Sequence, residues 1–142
     1  MYNKEDLIWA SGFFDGEGSI GLSKHKNPEF YYVSITVSNT HLKSIERFKD
    51  IVVFGRIYKQ TKYINRKQCY NWVASSKQAA IVLKMLLPFL YTKKEQAKLA
   101  LKSRNFIQKR AFQKTDIKNV LNLKLKIQKL NGNNYRKNIR GD

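Results

Sequence analysis

The hydrophobic residues of this chain change period several times, and each change marks the border of an element. From Leu7 to Phe14 the apolar side chains fall on more than one side of a helix, the pattern of a buried one. Asn3 stands before it as an N-cap with Asp6 as its capping-box partner. From Ser19 the period becomes two. Ile20 and Leu22 point one way, while Ser19, Gly21, Ser23 and His25 point the other. Asn27-Pro28-Glu29 makes a turn. The returning strand sets Tyr31, Val33, Ile35 and Val37 against Phe30, Tyr32, Ser34, Thr36 and Ser38, which predicts a hairpin with one buried and one solvent-facing side.

A second helix follows, capped by Asn39 or Thr40, with Leu42, Ile45 and Phe48 inward. After Gly55 a second hairpin alternates Arg56, Tyr58, Gln60 and Lys62 against Ile57, Lys59, Thr61 and Tyr63, turns at Asn65-Arg66, and returns over 67–75. In that return Tyr70, Trp72 and Ala74 oppose Cys69, Asn71 and Val73, and the alternation leaves open which set faces inward. Ser76 starts a helix with Ala79, Ala80, Leu83, Leu86 and Leu87, stopped by Pro88. Thr92 to Glu95 reads as a capping box before a helix with Ala97, Ala100, Leu101 and Phe106. Thr115 opens a last helix carrying Val120, Leu121, Leu125 and Ile127, ended at Asn131-Gly132. The order is helix, hairpin, helix, hairpin, then helices: an α+β fold in one domain over 1–131, followed by a basic tail over 132–142 expected to be mobile.

Composition narrows the function. The chain has 142 residues, 42% hydrophobic, enough for a core, and a net charge of +18. Basic residues run through the whole length rather than along one amphipathic helix, which favours nucleic acid over a membrane surface as partner. Cys69 is the only cysteine, and His25 and His41, the only histidines, have no metal-ligand spacing. Zinc-finger and histidine-based nuclease chemistries are therefore not expected. No apolar run reaches transmembrane length and the start M-Y-N-K-E-D has no signal-peptide core. No membrane partner is expected, and the protein is placed inside the cell, with chloroplast, mitochondrion, bacterium and phage all compatible.

The stretch W-A-S-G-F-F-D-G-E-G-S-I, from Trp9 to Ile20, does not fit a plain core helix. A helix C-terminus carries partial negative charge, so Asp15 and Glu17 there are unfavourable unless a cation compensates them. Gly16 and Gly18 read as helix-stopping residues that tolerate positive φ. The run A-S-G-F-F-D-G-E-G resembles the core motif of the LAGLIDADG homing endonucleases, L-A-G-hydrophobic-hydrophobic-D-small-acid-G. Gly12 through Gly18 match, while Ala10 and Ser11 depart from Leu and Ala but stay small. The element order is also similar to the α-β-β-α-β-β-α core of that fold over roughly residues 4–105, with a four-stranded antiparallel DNA-binding sheet and extra C-terminal helices.

The resemblance implies a site-specific double-strand DNA endonuclease that uses Mg²⁺, with Mn²⁺ substituting. Carried over residue by residue, Glu17 and the backbone carbonyl of Gly16 hold the metal. Asp15 is the lesser metal candidate and mainly a support. Asn39, Lys43 and Lys93 correspond to the polar and basic positions that order water and stabilise the phosphate, with Lys94 an alternative to Lys93. Asn39 reads equally as a helix cap, and Lys43 as a solvated lysine. Lys93 opposes a helix dipole, so a purely structural role explains it less well. The chain carries one motif and no internal repeat, so two metals imply two chains. A homodimer would pack the motif helices through Ala10, Ser11, Gly12 and Phe13 on a pseudo-palindromic duplex. On the sheet, Ser23, His25, Tyr32, Ser34, Thr36, Arg56, Tyr58, Gln60 and Lys62 are expected to face DNA. The competing readings are an intron RNA-splicing maturase, a non-cleaving DNA-binding protein on the same fold, and a general RNA-binding protein of ribosomal type.

Overall fold

The computed structural model describes residues 2–26, 29–107 and 114–132. Helix α1 (Lys4–Glu17) opens with the expected capping box: Asn3 Oδ1 accepts from Asp6 N at 2.9 Å, and Asn3 N donates to the Asp6 carboxylate. It leads directly into β1 (Gly18–Lys26), which pairs antiparallel with β2 (Glu29–Asn39). Helix α2 (Leu42–Val52), β3 (Arg56–Lys59) and β4 (Tyr70–Ser75) follow. Then come α3 (Ser76–Leu86), a 3-10 turn over Leu87–Phe89, α4 (Lys94–Ile107) and α5 (Lys114–Leu130). The sheet order is β1-β2-β4-β3, all antiparallel, with β1 and β3 at the edges.

Alternation decides the two faces of the sheet. Ile20, Leu22, Tyr31, Val33, Ile35 and Val37 are buried on the inner face against the helices. Trp72 and Ala74 join them, which settles the second hairpin: Asn71 and Val73 face outward beside Tyr58 and Arg56. The indole of Trp72 donates to Phe54 O and lies so close to Gly55 that a Cβ there would overlap the ring. Gly55 also needs its φ of +92°, so the start of β3 depends on glycine twice over. The motif glycine Gly18 has a different reason from the one expected. Its φ is −86°, an ordinary extended value, and a Cβ would lie 2.6 Å from both the ring and the carbonyl of Phe14. It is a glycine for space, not for a left-handed turn.

Other expectations need correction. Helix α2 is capped by His41, whose Nδ1 accepts from Ser44 N, rather than by Asn39 or Thr40. The strands of the second hairpin are shorter than the alternation predicts. Gln60 N still donates to Cys69 O, but the Gln68 side chain then donates to the carbonyls of Gln60 and Cys69 and ends the ladder. The turn lies one residue earlier than expected: Arg66 N donates to Tyr63 O, so Ile64 and Asn65 are its central pair, with Asn65 at φ +69°. On α5 the buried residues are Val120, Leu123 and Ile127, while Leu121 and Leu125 are 39% and 62% exposed. The turn residues Asn27 and Pro28 and the tail over 133–142 lie outside the described residues.

Candidate active site and nucleic-acid interface

The end of α1 is held by the start of α4. Both carboxylate oxygens of Asp15 accept backbone N–H groups there, Oδ2 from Tyr91 at 2.8 Å and Oδ1 from Lys93 at 3.0 Å. Lys93 answers by donating its ammonium to the backbone carbonyl of Asp15. The clamp satisfies orphan donors at one helix end and an orphan acceptor at the other. It also places a cation where the α1 macrodipole is negative and an anion where the α4 dipole is positive. The capping role read for Thr92 thus belongs to Asp15. With both oxygens accepting backbone N–H groups, Asp15 supports the junction between the two helices. Of the two neighbouring lysines, Lys93 is the one that reaches the motif.

Glu17, two residues further, is exposed and accepts no hydrogen bond from any described residue. The carbonyl of Gly16, in the last turn of α1, has no intrahelical donor available to it. Because Gly18 lies opposite Val37, the last residue of β2, Asn39, sits beside this junction. Its Oδ1 accepts from His41 N at 2.8 Å and turns the chain into α2. Lys43 is exposed in the first turn of α2. Glu17 and Asn39 thus end α1 and β2 at the same end of the sheet, Lys43 follows in the first turn of α2, and Lys93, just before α4, is bonded to the end of α1.

The outer face of the sheet carries the residues expected to meet DNA. Ser23, Tyr32, Ser34 and Thr36 are half-buried there, and His25, Arg56 and Tyr58 are exposed. Gln60 and Lys62 are exposed but lie beyond the end of β3, in the loop. Ser19, Ser38 and Asn71, not among the expected DNA contacts, share this face: Ser19 Oγ lies 2.6 Å from Thr36 Oγ1, and Ser38 donates to Asn71 Oδ1 at 2.7 Å. The signal for Asn71 was Trp72, whose ring could only be accommodated inside. A groove of about 680 Å³ wraps the edge of β1, lined among others by Ser19, Ser23, Lys93, Lys124 and Asn131. Asn131 holds the end of α5 against that edge by donating to Ile20 O at 2.9 Å.

The proposed dimer residues divide. Ala10 and Ser11 have no exposed surface, because they pack within their own chain; Ser11 Oγ donates to Leu86 O. Neither can touch a partner. Phe13 is half-buried and stacked on Trp9, with ring centroids 5.0 Å apart. Gly12 is exposed, in a stripe with Ile8, 48% exposed, and Gly16.

Among the described residues no three acids, histidines or cysteines gather as a metal cage, and no helix is long and apolar enough to cross a membrane. A single oxygen-donor carboxylate with an adjacent carbonyl suits Mg²⁺, which keeps several waters and uses one or two carboxylates together with substrate phosphates.

Comparison with known proteins bears on the fold and the family. The family model described as LAGLIDADG endonuclease matches residues 10–105. Comparison with curated protein sequences finds no match. Among solved structures, the homing endonuclease I-CvuI, in complex with the I-CreI target in the presence of Mg and with the DNA not cleaved, is 22% identical. That likeness has a TM-score of 0.75 and covers 90% of this chain and 85% of that one. The archaeal intron-encoded homing endonuclease I-Vdi141I, complexed with DNA, is 17% identical, with a TM-score of 0.75 and coverage of 89% and 84%. The meganuclease I-AabMI, bound to uncleaved DNA, is 20% identical with a TM-score of 0.69; 86% of this chain covers only 44% of that chain.

Proposed function

This chain belongs to the LAGLIDADG endonuclease family, and on that premise we propose that it is a site-specific DNA endonuclease acting as a homodimer on a long pseudo-palindromic duplex. The observation that carries the reading is the exposed Glu17 carboxylate, without a partner among the described residues, beside the Lys93–Asp15 clamp. Glu17 and the Gly16 carbonyl would hold Mg²⁺, or Mn²⁺ in its place. When bound, such a cation stabilises charge on the attacking and leaving oxygens of the phosphodiester. The Lys93 ammonium, fixed by its bond to α1, faces the same phosphate with no reorganisation needed. Asn39 supplies an amide N–H to order water, its carbonyl oxygen being engaged by His41. An RNA-binding role requires neither Glu17 nor Lys93, so their conjunction favours cleavage over splicing. Incubation with a randomised duplex library should yield cut products with Mg²⁺ and none with EDTA; absence of cleavage under both conditions would remove the enzymatic reading.

One carboxylate per chain leaves one strand unserved, so the second site comes from a second copy. The stripe Ile8, Gly12 and Gly16 is the face of α1 open to it, at i, i+4 and i+8. The relative of which this chain covers less than half agrees with two such units making one enzyme. A Cβ at Gly12 meets nothing within 4 Å in its own chain, so Gly12→Gln should fold normally. Between two α1 helices the added side chain overpacks the contact by about 2 kcal/mol, roughly 30-fold in association. Sedimentation should show the monomer mass at concentrations where the parent is a dimer, and an unchanged dimer would place the interface elsewhere.

A further inference from the structure

At the far end of the β1–β2 hairpin three aromatic rings gather on the outer face of the sheet. His25 and Phe30, directly paired across the strands, stack with centroids 4.7 Å apart and planes 13° from parallel. Phe30 and Tyr32, two residues apart on one face of β2, meet at 6.0 Å and 49°. Phe30 is flanked by both rings and is nonetheless 43% exposed. Its side chain has no polar atom and is not part of the buried core, and it stands on a mostly polar face. Held by two neighbouring rings, its exposed apolar surface is available to an apolar group.

We propose that Phe30, held by His25 and Tyr32, is a specificity-determining residue that contacts the 5-methyl group of thymine in the outer part of each half-site. The inference rests on the endonuclease reading above and deepens it. In the major groove the thymine methyl is the apolar group that base edges present, and a phenyl ring can contact it. The parallel stack with His25 already covers one face of the Phe30 ring, which leaves it poorly placed to take an unpaired base and favours an edge contact with a duplex. Position along the site follows from strand geometry. His25 lies seven residues beyond Gly18 on β1, roughly 24 Å at about 3.4 Å per residue. DNA rises about 3.4 Å per base step, so the trio falls about seven base pairs outward from the Glu17 carboxylate. Tyr32 and the neighbouring Ser23, its partner across the strands, supply hydrogen bonds on the inner side of the same contact.

The test begins with the preferred duplex selected by binding from a randomised library, which should show an A·T pair in a window about six to eight base pairs from the cut. Replacing thymine by deoxyuridine there removes only the methyl group. Affinity should fall about fourfold per methyl for the parent protein and stay level for Phe30→Ala, while the same replacement near the centre has no Phe30-dependent effect. No A·T preference in the window, or a silent deoxyuridine with cleavage intact, overturns the thymine contact and leaves the endonuclease reading standing. A chain that selects no duplex and instead binds unpaired RNA through Phe30 overturns both.

Discussion

Glu17→Gln is expected to lower DNA cleavage by about 10³-fold while leaving the fold and duplex binding intact. In the role proposed for Glu17, loss of its carboxylate removes transition-state charge stabilisation of several kcal/mol, and about 4 kcal/mol corresponds to three decades in rate. The substitution is nearly isosteric at an exposed position with no partner among the described residues, so stability should stay within about 0.5 kcal/mol of the parent. Binding has a diagnostic sign. In EDTA an uncompensated carboxylate repels the phosphate it faces, so the Gln variant should bind its target as tightly as the parent or slightly more tightly. Single-turnover cleavage with Mg²⁺ and binding titrations in EDTA separate the two effects. A variant that cuts at the parent rate removes Glu17 from the chemistry. A parallel loss of binding would make it a DNA contact instead.

The helix-hairpin-helix-hairpin order and the first hairpin's faces were legible because side chains there alternate cleanly between Ile20, Val33, Ile35 and Val37 and their hydroxyl-bearing neighbours. The second hairpin was not, because from Lys59 onward neither face is apolar and pairing depends on Gln68, eight residues from Gln60. On α5, Leu121, Leu123, Leu125 and Ile127 recur every second residue and satisfy several helical faces at once. Packing against α4 and β1 selects Val120, Leu123 and Ile127. The small residues Ala10 and Ser11 do mark a close helix approach, but the backbone they admit is the end of α3 in the same chain. The motif pointed to Glu17, and the family resemblance pointed to Lys93. What local pattern could not show is that Asp15 and Lys93, separated by 78 residues, form one unit.

That unit makes a second strong prediction: Asp15→Asn should lose both stability and activity, whereas Lys93→Met should lose activity with little change in stability. Asparagine keeps one acceptor oxygen but turns an NH₂ group toward a backbone N–H of the α4 entry, leaving that donor unsatisfied. Hydrogen bonds to a charged group contribute about 1.5–3 kcal/mol, and for a domain of this size the melting temperature should drop by roughly 5–12 °C. Lys93→Met keeps the aliphatic stem and leaves one carbonyl at a helix end to water, so its melting temperature should stay close to the parent's, with cleavage down about 10²-fold. If Asp15 acts through Lys93, the two substitutions are not independent. The double variant should then cleave no more slowly than the slower single variant, where independent effects would multiply. Multiplied losses would mean that the Asp15 carboxylate touches the reaction itself. An Asp15→Asn protein with the parent's melting temperature would mean that the start of α4 is held by something else.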